Sequence, residues 1–125
     1  MYRNNTKVIQ IGNRIIGGGN PILIQSMTNT DTHDADATVK QISDLAACGC
    51  DIVRITVPDL AAADTIIKIR EAGISVPVVA DIHFVPEIAS IAADYVDKVR
   101  INPGNYRTDG GELEALIEKC RKRGV

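Results

Sequence analysis

Lys98-Val99-Arg100-Ile101-Asn102-Pro103-Gly104-Asn105 is the stretch that decides how the rest of this 125-residue chain is read. It is an apolar strand pattern that ends in a cation and an amide, followed by two residues that break strands. Side chains alternate between the faces of a strand, so Arg100 and Asn102 project to one side while Val99 and Ile101 project to the other. A strand built this way ends in a polar site.

Three earlier segments end the same way. Residues 22–27 predict a first strand, closing in the polar run Gln25-Ser26-Met27-Thr28-Asn29-Thr30. Residues 51–57 predict a second, with Arg54 and Thr56 on one face; residues 77–82 predict a third, with Asp81 and His83 as the matching pair; residues 98–102 are the fourth. Between them lie helical patterns. Residues 34–48 place Val39, Ile42 and Ala46 at helical spacing before Gly49, and residues 59–72 place Leu60, Ala63 and Ile67 together before Gly73. Pro86 suits a first helical position and leads a face of Ile88, Ile91, Ala92 and Tyr95. Residues 112–123 carry Leu113, Leu116, Ile117 and Cys120 as a stripe.

Strands alternating with helices predict an α/β fold with a parallel sheet and right-handed crossovers. An open doubly wound sheet needs polar ends only where its strand order reverses, whereas a barrel gathers its site from the carboxyl ends of all strands. Four successive polar ends favour the barrel. A (β/α)8 barrel takes about 250 residues, so four βα units over residues 22–125 are expected to form its N-terminal half. Residues 8–11 and 14–16 flank Gly12-Asn13, a two-residue turn, and predict a small N-terminal β-hairpin that plugs or caps something. Gly17-Gly18-Gly19-Asn20 precedes a strand and not a helix, so residues 1–21 are read as a hairpin with a flexible connection, not as a phosphate cradle.

Composition narrows the function. The chain is 45% hydrophobic and 24% charged, with a formal charge of -2 and one Phe, three Tyr and no Trp. Such a surface offers neither bulk attraction to nucleic acid or anionic lipid nor a stacking platform for bases. No run approaches the roughly 18 apolar residues of a membrane span, and residues 1–7 lack a signal-peptide core, which predicts a cytoplasmic protein. The three cysteines, Cys48, Cys50 and Cys120, read as small apolar fillers, with Cys48 and Cys120 at buried-facing helix ends. Cys48-Gly49-Cys50 lacks the partners of a zinc site.

Gathered at one mouth, Arg54 and Arg100 supply fixed cations, His83 a group that titrates near neutrality, Asp81 a carboxylate and Asn102 a neutral donor and acceptor. That set suits a phosphorylated ligand, because the guanidinium fork holds phosphate oxygens bidentately. The plainer reading of either arginine alone is a salt bridge to Asp81. No nucleophile with an adjacent base is evident, so the constellation argues for binding more than for bond making. His33 reads as a solvated loop residue or a capping aid.

The runs Gln25-Ser26-Met27-Thr28-Asn29-Thr30-Asp31-Thr32, Gly49-Cys50-Asp51-Ile52-Val53-Arg54, Val79-Ala80-Asp81-Ile82-His83-Phe84 and Val99 to Asn105 resemble, in sequence and order, the 4-hydroxy-3-methylbut-2-enyl diphosphate synthase family. The resemblance implies an oxidoreductase of the non-mevalonate isoprenoid pathway that reductively opens 2-C-methyl-D-erythritol 2,4-cyclodiphosphate. It also implies a TIM barrel followed by a smaller domain holding a 4Fe-4S cluster, flavodoxin or ferredoxin as electron donor, and a homodimer. Matched residue by residue, Arg54, His83, Arg100 and Asn102 fall on positions that hold the diphosphate, with Asp81 beside them and Gln25, Ser26 and Thr28 along the same mouth. The second half-barrel and the cluster domain have no counterpart in these residues, so the chain is expected to be an inactive fragment that binds no cluster. The alternative is a self-associating half-barrel that binds anions. A pterin-binding synthase, a third barrel possibility, fits the Asp-Ile-His and Arg-Ile-Asn-Pro-Gly-Asn runs poorly.

Overall fold

In the computed structural model, which describes residues 2–83, 85–102 and 110–125, a 3-10 turn at Tyr2–Asn5 leads into strands β1 (Ile9–Ile11) and β2 (Arg14–Ile16). Four strand-helix units follow: β3 (Gln25–Met27) and α1 (Ala35–Ala47), β4 (Ile52–Thr56) and α2 (Leu60–Glu71), β5 (Val78–Ile82) and α3 (Pro86–Ala92), β6 (Lys98–Ile101) and α4 (Glu112–Arg123). The expected break at Pro103 and Gly104, the residue Asn105 and the residue Phe84 lie outside the described residues.

The helix starts are written in the sequence. Asp34 and Asp59 stand in extended conformation before α1 and α2, and their carboxylates accept from the amides of Ala37 and Ala62, which satisfies donors that a helix start otherwise leaves open. Val85 precedes α3 with no side-chain cap, and Pro86 opens it.

Strands β3, β4, β5 and β6 form one parallel sheet in chain order. No reversal occurs within it. A doubly wound sheet would place later strands on both sides of the first, so this order decides for the barrel arrangement. One face of the sheet carries Val53, Ile55, Val57, Val78, Ala80 and Ile82, which pack with Ile42, Ile66, Ile69, Ala89 and Leu116 of the four helices. Each fully buried Ile contributes about 1.5–3 kcal/mol relative to an exposed one.

The opposite face has a small apolar foot in which Ile11 of the hairpin meets Ile52 and Val79. Gly12, at the hairpin turn, has φ +57, and a Cβ there would lie 2.8 Å from Asp97 Oδ1 and 3.2 Å from Pro77 Cγ. The hairpin therefore closes the amino-terminal end of the strands.

Several expectations are corrected in detail. Residues 22–24 are not strand: Ile22 and Ile24 are 79% and 62% exposed, and pairing begins at Gln25. The buried side of α2 is Ala62, Ala63, Ile66 and Ile69, while Leu60 is exposed and Ile67 half-buried, because a helix with apolar residues on several faces does not announce which face packs. Cys48 is exposed at the C-cap of α1, Cys50 is buried and Cys120 half-buried. The Gly17 to Gly19 run is a hydrogen-bonded turn, with Asn20 N donating to Gly17 O and Gly18 N to Thr6 Oγ1. Gly17 has φ +84, and a Cβ there would lie 1.9 Å from Lys7 O, so only glycine fits.

Candidate functional site

Register sorts the polar side chains into rows on the face opposite the helices. Met27 pairs with Arg54, Arg54 with Val79 and Val79 with Lys98, one row above the foot. Thr56 pairs with Asp81 and Asp81 with Arg100, one row nearer the carboxyl ends. His83 follows Asp81 by two residues and Asn102 follows Arg100 by two.

Asp81 is the centre. It is 2% exposed, and three cationic or titratable side chains converge on it. Arg100 Nη1 donates to Asp81 Oδ1 at 3.1 Å, Arg54 Nε lies 3.3 Å from Asp81 Oδ2, and His83 Nε2 lies 3.6 Å from the same oxygen. The Arg54 contact is an ion pair without hydrogen-bond alignment, since Arg54 Nε is buried and makes no hydrogen bond among the described residues. The salt bridge foreseen for either arginine is thus made by both, on one carboxylate. Two guanidiniums against one carboxylate leave a surplus positive charge, and of the five N–H donors each guanidinium carries, the hydrogen bond to Asp81 takes one from Arg100.

The connection after β3 is fastened beside this cluster. Thr28 N donates to Arg54 O at 3.0 Å, and Thr32 Oγ1 donates to Thr56 O at 2.6 Å. From α1, Gln41 Oε1 accepts from Asn29 N at 2.8 Å and Thr30 N at 3.3 Å, while Gln41 Nε2 donates to Asn29 Oδ1 at 2.6 Å.

Of the residues expected to line the mouth, the structure brings together Arg54, Asp81, His83 and Arg100. Asn102 is exposed one step beyond β6 and has interaction partners of its own. Thr28 is buried against β4 through its main chain. Gln25 is corrected to the foot: it pairs with Ile52, four residues or about 13 Å below the Thr56 row along the strand, in a cavity of about 310 Å³ against the hairpin. Ser26 pairs with Val53 and so takes the helix-facing side. A polar run at a strand end cannot be split between foot, mouth and sheet faces until its register is known.

From the sequence His33 reads only as a solvated loop residue or a capping aid, and Gln41 is not singled out. His33 Nδ1 lies 2.6 Å from Asp31 Oδ1, and His33 Nε2 lies 2.9 Å from both oxygens of Asp59. The Asp31 hydrogen bond, then the Asp59 one, raises the His33 pKa above its ordinary 6.5. Asp31 is lowered chiefly by the His33 amide, and Asp59 by the Ala62 amide and then by His33. The ring thereby joins the loop before α1 to the start of α2. Its neighbours in sequence hint at the Asp31 contact, but nothing in the sequence ties it to Asp59.

The cysteines do not fit an iron-sulfur cluster. Cys50 Sγ donates to Ile52 O at 2.9 Å, Cys48 is exposed, and burial pushes the Cys120 thiol up. No group of three or more His, Cys, Asp or Glu side chains among the described residues is arranged to hold a metal ion. A groove of about 570 Å³ beside β6 is lined mainly by apolar side chains, among them Ile11, Val99, Ile101, Leu113 and Ile117, with Asp97, Lys98 and Arg121 also on its wall. No helix among the described residues is long and apolar enough to cross a membrane.

The fold and site together define a barrel-type α/β domain with a cation-rich cluster toward the carboxyl ends of its strands. The chain belongs to the GcpE TIM-barrel domain family, whose pattern matches residues 6–125. It is 53% identical over 108 residues, 83% of the chain, to a 4-hydroxy-3-methylbut-2-en-1-yl diphosphate synthase (flavodoxin) of Leptospira interrogans, of which it covers 16%. Proteins of the same name from Caldanaerobacter subterraneus and Geobacillus thermodenitrificans are 48% and 47% identical over 98% and 100% of the chain, which covers 34% and 33% of them. The chain thus spans about a third of the length of these relatives, or less. Among solved structures, a Thermotoga maritima phospho-2-dehydro-3-deoxyheptonate aldolase superposes with a TM-score of 0.63 at 15% identity, covering 94% of this chain and 35% of its own. A Xanthomonas albilineans dihydropteroate synthase superposes with a TM-score of 0.64 at 17% identity, covering 92% of this chain and 47% of its own. At those identities the likeness concerns the fold alone.

Proposed function

We propose that this chain forms the N-terminal half of the substrate-holding barrel of a 4-hydroxy-3-methylbut-2-enyl diphosphate synthase. Arg54, Arg100, His83 and Asn102 hold the diphosphate of 2-C-methyl-D-erythritol 2,4-cyclodiphosphate, and Asp81 presets the two guanidiniums. The observation that carries this reading is the convergence of Arg54 and Arg100, from strands two apart, on the buried Asp81. A preset pair of cations meets an anion without first losing side-chain freedom.

The overall reaction takes two electrons and two protons, opens the cyclic diphosphate and releases water with the allylic diphosphate. In the full-length enzyme a 4Fe-4S cluster outside this chain would supply the electrons, drawn from flavodoxin or ferredoxin. This chain's part is to bind and orient. The enzyme would work as a cytoplasmic homodimer, and the chain alone would be inactive.

Steady-state kinetics of the full-length enzyme test the assignment. Arg100→Ala is expected to raise KM for the cyclic diphosphate about tenfold or more, the scale of one lost charge-assisted hydrogen bond, with a smaller change in kcat. Unchanged kinetics would sink the role given to Arg100. The alternative, a self-associating half-barrel that binds anions, draws its support from the apolar groove beside β6 and the exposed Ile22 and Ile24. Light scattering that shows a stable monomer at high concentration counts against it.

A further inference from the structure

We infer that Gln41 is a positioning residue for the anion site, acting through Asn29. This rests on the reading of the Asp81 cluster as an anion site. One carboxamide on α1 makes three hydrogen bonds to a loop twelve residues away, two to main-chain amides and one to a side chain. Two N–H donors can meet only an oxygen, so the amides of Asn29 and Thr30 fix which end of the Gln41 carboxamide is Oε1. Its other end is then a donor, and the Asn29 atom it meets must be Oδ1. The orientation of Asn29 follows. Its oxygen is spent on Gln41, and the group it presents is the Nδ2 amide, which only donates.

The position of this donor matters because of what lies beside it. Thr28, the preceding residue, is bonded through its amide to the carbonyl of Arg54, and Thr32 bonds the carbonyl of Thr56, which pairs with Asp81. Thr30 Oγ1 lies 3.0 Å from Thr38 Oγ1, and Thr38 Oγ1 also donates to Asp31 O at 3.2 Å. The segment 28–32 is thus laid along the carboxyl end of β4 and held from α1, with Gln41 supplying its only grip on Asn29 among the described residues. A neutral N–H donor on this segment, one residue from the amide that bonds the Arg54 carbonyl, is the complement of a phosphate oxygen. The ligand class is the same phosphate or diphosphate that the arginines take, and Gln41 sets the geometry of a further donor to it without touching the ligand itself.

The test uses the full chain and inorganic pyrophosphate, followed by amide and side-chain chemical shifts in an NMR titration. Arg54→Ala reports on the anion site, and Gln41→Met on the inference, because methionine keeps the volume of glutamine while removing all three hydrogen bonds. Gln41→Met is expected to weaken pyrophosphate binding about five- to tenfold, to speed hydrogen exchange at Asn29 and Thr30, and to move the melting temperature little. Gln41→Glu keeps the acceptor for both main-chain amides and is expected to restore their protection. If Arg54→Ala weakens binding while Gln41→Met leaves both affinity and exchange unchanged, the inference is overturned and the anion site stands. If Gln41→Met lowers the melting temperature but not the affinity, Gln41 is structural only and the inference is again overturned. If the unmodified chain shows no pyrophosphate-dependent shifts near Arg54, the anion-site reading fails and takes this inference with it.

Discussion

Replacing Asp81 by asparagine removes one charge and little volume from a buried carboxylate on which two arginines and a histidine converge. Asp81 is 2% exposed and faces Arg100 at 3.1 Å, Arg54 at 3.3 Å and His83 at 3.6 Å. At an effective dielectric of about 20, two charges at about 3.2 Å attract by about 5 kcal/mol. That figure is an upper bound for each pair. Desolvation of the buried carboxylate takes back much of it, and Arg100 and Arg54 are themselves 41% and 28% exposed, so water screens them. Asparagine can still accept one hydrogen bond through Oδ1, but its Nδ2 then faces the second guanidinium, donor against donor. The net cost is about 2 kcal/mol, and the melting temperature should fall by about 8 °C for a chain of this size. Pyrophosphate should restore more stability to the variant than to the unmodified chain, because the anion takes over the partner that both arginines have lost. Thermal melts by circular dichroism, with and without millimolar pyrophosphate, read both effects. An Asp81→Asn chain that melts with the unmodified protein would refute the view that Asp81 holds the arginines; a variant that melts lower but gains nothing from pyrophosphate would refute the anion site.

Two other perturbations address the rims of the fold. The folded-state pKa of His33 is raised, so its contribution to stability is full below 6.5 and is lost as pH rises through the raised value; those of Asp31 and Asp59 are lowered, so theirs is full above 3.8 and is lost as pH falls through the lowered values. The three-residue link should therefore be strongest between about pH 4 and 6.5, and His33→Ala should flatten the fall in melting temperature above that window; identical pH profiles would remove the link from the account. Gly12→Ala places a methyl group against Asp97, whose Oδ2 accepts from the Val78 amide and from Arg70, at a positive φ that alanine resists. A loss of about 1–2 kcal/mol in a urea melt is expected, and a neutral result would mean that the hairpin does not press on the foot of the sheet.

The order and type of the elements were legible because their signals are local. Asp34 and Asp59 cap the helices they precede, and α4 spans Glu112–Arg123, matching its apolar stripe. Arg100 opposite Val99 and Ile101 followed from strand alternation alone. Less was legible where packing chooses among equivalent options. The sequence of α2 offers apolar residues on more than one face, and only contact with β4, β5 and the flanking helices selects Ala62, Ala63, Ile66 and Ile69. Ile22 and Ile24 look like strand and are exposed: Ile24 O accepts from the amides of Asp51 and Ile52, but ladder pairing with β4 begins only at Gln25.

The candidate site divides along the same line. From the sequence alone came the parallel α/β half-barrel, the pairing of Arg54, Asp81, His83 and Arg100 as inward residues, and the resemblance that the family match bears out, because strand period, caps and motif order are properties of short stretches. Only the tertiary structure decided that both arginines share one carboxylate, that Gln25 belongs to the foot and Ser26 to the helix side, and that Gln41 and His33 fasten the loops above. Those facts depend on register between strands and on contacts between residues 12 to 27 positions apart, and relative placement of that kind is fixed by packing, which no single stretch of sequence contains.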